Sequence, residues 1–357
     1  MITLEMILLT KIMIEQIRRN QIKEVVISAL RHANVPYLPV DIKKICKSYD
    51  FIRLIPFSIQ MNHRNMTYEE VIIQCQTKDA CADYYASRDK YIIYYNDINK
   101  IAFINSHRYR WSIAHELGHI LLSHHKSSDK TRIFRFNLTD EEYDQLEAEA
   151  DYFAQLILVP HAALLGFKIG SSKHLQIMCK ISSPASRRRY YEFIEWKSHI
   201  NKEDQYDKEI FSYYFNYIFK RKCKNCDVGI IQRYGKYCPV CGLKNTLQWG
   251  NGKMIYPKMK VYENNKLCKC PICNNEETDL KGDYCQICGT YLINHCSDLP
   301  NCGEILSTNA RYCPLCGTKS SFLLNDILKP WDNNIETTEN SFKDVPYGVE
   351  DEGLPFN

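Results

Sequence analysis

No stretch of this sequence is apolar for long enough to cross a bilayer: a span needs about 20 consecutive apolar residues, and none occurs. The nearest candidate, residues 1–20, is interrupted by Glu5, Lys11 and Glu15. It lacks the unbroken apolar core and small-residue cleavage site of a secretory signal. An amphipathic surface segment is expected there, with no membrane partner. Charge of one sign is also scarce. A net formal charge of +4 over 357 residues leaves no whole-chain nucleic-acid footprint. Glycine is sparse, and nothing about function follows from that. Apolar residues are not sparse. At 45% of the chain they are enough to build cores over two or three domains, which excludes wholesale disorder.

Cysteine divides the chain. Cys46, Cys75, Cys81 and Cys179 are scattered, whereas the other thirteen of the 17 lie between Cys223 and Cys316. They fall mostly in close pairs: Cys223/Cys226 with Cys238/Cys241, and Cys270/Cys273 with Cys285/Cys288. Cys296 and Cys302 form a wider pair that Cys313/Cys316 completes, and Cys268 is left over. Two thiols across one tight turn, closed by a second pair a hairpin away, suit tetrahedral zinc. A disulfide scaffold would require export, so the setting is expected to be reducing and cytoplasmic. Three structural zinc ribbons are expected. Gly242, Gly289 and Gly317 each follow a final cysteine, where glycine permits the turn that aims amides at the thiolates.

A second metal signal lies upstream, in His115-Glu116-Leu117-Gly118-His119. On a helix the two imidazoles are one turn apart on one face and can share a Zn²⁺, with Glu116 beside the open coordination position. Catalytic zinc takes a third protein ligand. Glu147, in the segment Glu147-Ala148-Glu149-Ala150-Asp151, supplies a carboxylate from a second helix. Asp151, one turn on, is placed to accept a hydrogen bond from the outer nitrogen of a ligating imidazole. Glu149 reads as a solvated residue pointing away from both. The rival third ligand is His125, six residues past His119. That arrangement needs a glycine where the chain doubles back, and Leu122 stands there. The helix is expected to run on to His124, leaving His124 and His125 solvent-facing at its end.

Around these motifs the periodicity places helices over about 22–30 and 41–47. Strands are expected at Phe51–Ile59, Glu70–Gln76 and Tyr91–Tyr95. A helix over 108–124 carries the core stripe Ile113, Leu117, Ile120 and Leu121. Thr139 and Glu142 form a capping box for the next helix, which Pro160 ends. Short helices follow over about 161–179 and 184–198.

The block Arg110–Leu122 resembles the ImmA/IrrE family of metallo-endopeptidases. So do Glu147–Ala154 with Leu156–Pro160, the Pro39-Val40-Asp41-Ile42 segment, the strand ending at Asn96, and Ile181-Ser182-Ser183-Pro184. The resemblance spans about residues 20–200. Two departures stand out: Ser123 replaces a histidine common in the family, with His124 one step later, and Asp151 stands where asparagine is common. The resemblance implies an α+β, zincin-like helical peptidase domain with a small sheet. It also implies His115, His119 and Glu147 as zinc ligands and Glu116 as catalytic base. Relatives are cytoplasmic zinc peptidases of bacteria and their mobile elements that cut helix-turn-helix transcriptional repressors.

The organisation expected is an N-terminal segment at 1–20, the peptidase domain at 21–200, a charged linker at 201–220, three ribbons at 221–320 and a disordered acidic tail at 321–357. One catalytic and about three structural Zn²⁺ are expected. Tyr91, Tyr94 and Tyr95 are candidate oxyanion donors, on a strand that is a candidate edge for an extended substrate. The ribbons suit a protein partner or nucleic acid. Lys220, Arg221, Lys222 and Lys224, with Lys253, Lys258, Lys260, Lys266 and Lys269, supply the charge for the latter. The competing function is a non-catalytic zinc-ribbon regulator on a degenerate peptidase scaffold.

Overall fold

A computed structural model describes residues 4–98, 107–127 and 139–333, with residues 4–14 described by their backbone. Two compact units emerge. Of the described residues, one comprises those up to Leu165 together with Ile169–Tyr217, and the other holds Gly166–Lys168 and residues 218–333.

The first unit begins with α1 (Leu4–Ala33), a single helix that takes in residues 4–20 of the expected N-terminal segment. For residues 1–14 the expected amphipathic face lies outside the described side chains. From Ile22 onward α1 buries Val26, Ala29 and Leu30. After α2 (Ile42–Lys47), capped by Asp41, come β1 (Ile52–Pro56), α3 (Phe57–Arg64), α4 (Tyr68–Cys75), β2 (Ala80–Tyr85) and β3 (Lys90–Tyr95). The strand expected at Glu70–Gln76 is therefore helix. Thr67 and Glu70 satisfy each other's backbone amides in a capping box, which starts a helix that β-branched Val71, Ile72 and Ile73 obscure in the sequence.

The three strands form one sheet in the order β1-β3-β2. β1 runs parallel to β3, with Leu54 opposite Ile93, and β2 runs antiparallel to it, with Ala82 opposite Ile93. β3, read as a possible edge, is thus the central strand. Within this sheet the edges are β1 and β2.

Helix α5 (Arg108–Leu121) buries Ile113, Leu117 and Ile120. It ends earlier than expected: Ser123 adopts a left-handed φ of 62°, and the chain turns into α6 (His124–Ser127). Helix α7 (Asp140–Leu158) opens on the expected Thr139/Glu142 box and buries Ala150, Phe153, Ala154 and Ile157. Helix α5 packs against α7. Gly118 marks their close approach: a Cβ there would lie 3.1 Å from Phe153 Cδ1 and 3.2 Å from Ala150 Cα.

The unit is completed by α8 (His161–Leu164), α9 (Ser172–Cys179), α10 (Ser183–Ser198) and α11 (Gln205–Ile218). Residues 201–220, read as a linker, hold the whole of α11. Its polar start precedes an aromatic face that packs within the first unit: Tyr213 donates to Leu30 O at 2.6 Å and Tyr217 to Leu38 O at 2.9 Å. Charge at the solvent side of this helix masked the apolar spacing of Ile210, Tyr214 and Tyr217, all buried. No helix among the described residues is long and apolar enough to cross a membrane.

The second unit begins with β4 (Lys220–Cys223), β5 (Gly229–Ile231) and β6 (Leu247–Trp249), a small antiparallel sheet in the order β5-β4-β6. Two further cysteine modules follow, then α12 (Ser321–Leu324). The first part of the expected tail is therefore packed, since Phe322 is buried among Leu267, Cys270, Cys285 and Leu292. The remainder, 334–357, lies outside the described residues.

Candidate metal centre

Helices α5 and α7 bring His115, His119 and Glu147 together at the base of a cleft of about 440 Å³. His115 Nε2 lies 3.1 Å from His119 Nε2 and 3.2 Å from Glu147 Oε2, and His119 Nε2 lies 3.4 Å from Glu147 Oε1. A tetrahedral zinc roughly 2.0–2.1 Å from each ligand atom holds such atoms about 3.3 Å apart. The three donors match that spacing, and they are the types that zinc prefers. Glu116 and Asp151 line the same cleft.

The outer nitrogens of both rings are held as well. His115 Nδ1 lies 2.9 Å from Asp151 Oδ1, as the helical spacing anticipates. His119 Nδ1 lies 2.9 Å from His124 Nδ1, and His124 Nε2 lies 3.0 Å from Glu149 Oε2. Glu149 in turn accepts from Arg18 Nε at 2.7 Å and Gln145 Nε2 at 3.1 Å. Glu149 is buried, as are His124 and His125, so the solvent-facing readings of all three are corrected. The cause is the left-handed turn at Ser123, which folds both histidines back under α5. A non-glycine residue in that conformation is uncommon, so nothing in the sequence announced it. His125 lines the cleft but stands outside the three-donor group.

These contacts set the protonation of the cluster. Burial pulls His115 down, but hydrogen bonds to Asp151 and Glu147 outweigh it and hold its pKa at about 10. Burial also dominates at His119, with less compensation, and takes it to about 4. Burial raises Glu147, yet bonds from His115 and His119 bring it well below the usual carboxylate range. Burial raises Glu149 too, and the His124, Arg18 and Gln145 contacts overcome it, leaving a pKa of about 2. An incoming cation therefore meets one neutral imidazole, one carboxylate and one imidazole whose proton it must displace.

The cleft is bounded on one side by Ala80, Cys81 and Ala82 of edge strand β2 and on the other by Tyr143, one turn before Glu147 on α7. The strand tyrosines do not line it. Tyr91 stacks on Tyr84 with centroids 4.6 Å apart, and Tyr95 OH accepts from Lys43 Nζ at 3.0 Å. Their alternation on a central strand commits them to the two faces of the sheet.

A family model described as the IrrE N-terminal-like domain of Peptidase_M78 matches residues 76–176. Residues 76–176 thus resemble an IrrE N-terminal-like domain. The matched range begins just before β2 and ends within α9, so it contains α5, α7 and the cleft between them. This domain is of the metallopeptidase type. No curated protein matches the chain.

The twelve paired cysteines gather into the three expected groups, Cys223/Cys226/Cys238/Cys241, Cys270/Cys273/Cys285/Cys288 and Cys296/Cys302/Cys313/Cys316. None is in a disulfide. Opposed sulfurs lie 3.7 Å apart for Cys223–Cys241 and Cys226–Cys238, and 3.5 Å apart for Cys270–Cys288 and Cys273–Cys285. The third group gives 3.4 Å for Cys296–Cys316 and 3.7 Å for Cys302–Cys313. Zinc at roughly 2.3 Å from tetrahedral sulfurs sets about 3.8 Å between them. These are tandem zinc-ribbon-like groups, and Cys268 stands outside them.

The basic residues counted toward nucleic acid divide. Arg221 is buried and donates to Ile218 O and Lys220 O. Lys266 is buried and donates to Leu280 O and Gly282 O. Lys220 lies over the Trp249 ring at 4.1 Å, and Lys269 pairs with Glu276 at 2.9 Å. The first three serve the fold of the unit, whereas Lys269 is exposed and its ion pair lies at the surface. Lys224, Lys253, Lys258 and Lys260 are exposed.

Proposed function

We propose that this protein is a zinc-dependent endopeptidase that cuts a helix-turn-helix transcriptional repressor in the cytoplasm of a bacterium carrying a mobile element. One observation carries the catalytic part: three zinc-type donors spaced 3.1–3.4 Å apart at the base of a cleft that also holds Glu116. The repressor substrate rests on the family resemblance. The ribbons then serve to recognise the partner, and the chain carries four zinc ions, one at His115, His119 and Glu147 and one in each cysteine group.

Zinc, when bound, supplies a coordinated water of pKa about 7. Glu116, which lines the same cleft, would act as the base that holds a proton released there and passes it to the leaving amine. Asp151 and the His124–Glu149 pair fix the orientation and tautomer of the two ligating rings. Strand β2, at one side of the sheet and lining the cleft, pairs with an extended substrate segment and lays its carbonyl across the cleft. Tyr143 takes the oxyanion-donor role considered for the strand tyrosines, because it lines the cleft one helical turn from Glu147.

Co-expression with repressors encoded beside the gene tests the reading. One repressor should be cut at a single site, and cleavage should stop when a chelator removes the metal. No cleavage of any such repressor by zinc-loaded protein contradicts the substrate assignment. The hydrogen-bonded supports carry their own prediction. His124→Ala should weaken zinc binding at the two-histidine site about 10–100-fold, measured by competition with a chromophoric chelator. An unchanged affinity removes His124 from the account.

A further inference from the structure

The second unit contains its own template for a protein contact. Ribbons 1 and 3 present the same knuckle, Tyr237-Cys238-Pro239-Val240-Cys241-Gly242 and Tyr312-Cys313-Pro314-Leu315-Cys316-Gly317. The two pack on each other reciprocally. Tyr312 lies against Gly242, where a Cβ would be 2.7 Å from the ring, and Tyr237 lies against Gly317, where it would be 2.6 Å. The amide of Tyr237 donates to Pro314 O at 3.1 Å, and the amide of Tyr312 donates to Pro239 O at 3.0 Å. The neighbouring amides of Lys236 and Arg311 repeat these bonds to the same two acceptors, at 3.0 and 2.7 Å. Each half gives what it receives, so the contact is a pseudo-two-fold one.

Ribbon 2 carries the corresponding knuckle, Tyr284-Cys285-Gln286-Ile287-Cys288-Gly289, and among the described residues no second knuckle packs against it. The internal bonds are equivalent: Cys285 N to Thr290 O and Gly289 N to Cys285 O, both 2.8 Å. The outward side is bare. Tyr284 is 62% exposed, whereas Tyr237 and Tyr312 at the matching places in ribbons 1 and 3 are half-buried, and Ile287 beside it is 73% exposed. Among the described residues, no atom lies within 4 Å of where a Gly289 Cβ would be. Among the described residues, the amides of Asp283 and Tyr284 and the carbonyl of Gln286 have no backbone partner.

We propose that ribbon 2 is a self-association site, pairing with ribbon 2 of a second copy of this chain through the knuckle contact that ribbons 1 and 3 make internally. The template selects the occupant. A reciprocal contact between like knuckles is self-complementary, so any chain that displays one displays its partner too. Tyr284 of each copy covers Gly289 of the other, and the Asp283 and Tyr284 amides meet the partner's Gln286 carbonyl. A knuckle offers about six residues, well short of the roughly 20–30 a side in a standard interface. Association is therefore weak and reversible.

Sedimentation velocity on the zinc-loaded full chain reads this directly. The expected result is a concentration-dependent monomer–dimer equilibrium. Tyr284→Asp and Ile287→Glu each weaken it at least tenfold without changing zinc content. Ile73→Glu, at a residue on α4 that is also 73% exposed, leaves it unmoved. Amide exchange provides a reading without substitutions: residues 283–289 should exchange more slowly as wild-type protein concentration rises. A chain that stays monomeric at millimolar concentration overturns the proposal. So does a dimer that Ile73→Glu weakens and the two knuckle variants do not.

Discussion

Glu116→Gln lowers kcat/KM for a cleaved repressor by about 10³-fold, within the 10²–10⁴ range of general base catalysis, and leaves the zinc content unchanged. The substitution keeps the shape of the side chain and removes only its ability to take a proton. Glu116 follows His115 on α5 and lines the cleft, yet it is outside the three-donor group. Its loss therefore touches proton transfer without touching the donors. The check is a pair of measurements on one preparation, repressor cleavage and zinc by elemental analysis. Cleavage within tenfold of the parent would assign the proton transfer elsewhere. Joint loss of zinc and cleavage would make Glu116 a structural support.

Gly118→Leu removes both the ion and the activity. A glycine inside a helix costs roughly 1 kcal/mol relative to alanine, so α5 keeps it for a reason that helix propensity does not supply. That reason is the α7 crossing, where a first side-chain carbon already meets Phe153 and Ala150 at 3.1–3.2 Å. Both residues are fully buried, so the remaining atoms of leucine have no space to enter. Overpacking of this kind costs about 1–3 kcal/mol, and relief requires α7 to move away. Glu147 lies on α7 one turn before Asp151, so that shift carries the carboxylate from the two imidazoles. Zinc should fall from four to three per chain, with the ribbon ions retained and the melting temperature lowered. Gly118→Ala, needing only a few tenths of an ångström from its neighbours, should fall between the two. A leucine variant with four zinc ions and full cleavage contradicts the packing argument.

The sequence exposed whatever depends on local spacing. The i,i+4 histidines, the Thr139/Glu142 box, the buried stripe of α7 and the cysteine pairs all follow from one helical turn or one hairpin. What it hid depends on tertiary context. β2 has the short run Ala80-Cys81-Ala82, which carries little strand propensity and gains its place by pairing with β3. The Val71–Ile73 run mimics a strand until the Thr67 cap decides for helix. Glu149 looks like a surface acid among Glu147 and Asp151, but α1 brings Arg18 across to it and α6 brings His124 beneath it. That α6 contact turns on a single left-handed residue, Ser123, where the residue type gives no warning. Arg221 and Lys266 show the same limit: their charge suggests solvent, while their donors close backbone carbonyls inside the second unit.

The central claim is that His115, His119 and Glu147 hold a zinc ion distinct from those of the cysteine groups. Anomalous diffraction at the zinc edge from crystals of the zinc-loaded chain tests it most directly. The account predicts a peak roughly 2.0–2.1 Å from both Nε2 atoms and a Glu147 oxygen, besides one peak within each cysteine group. Peaks confined to the cysteine groups, with the two imidazoles and Glu147 bare in zinc-saturated protein, would contradict it.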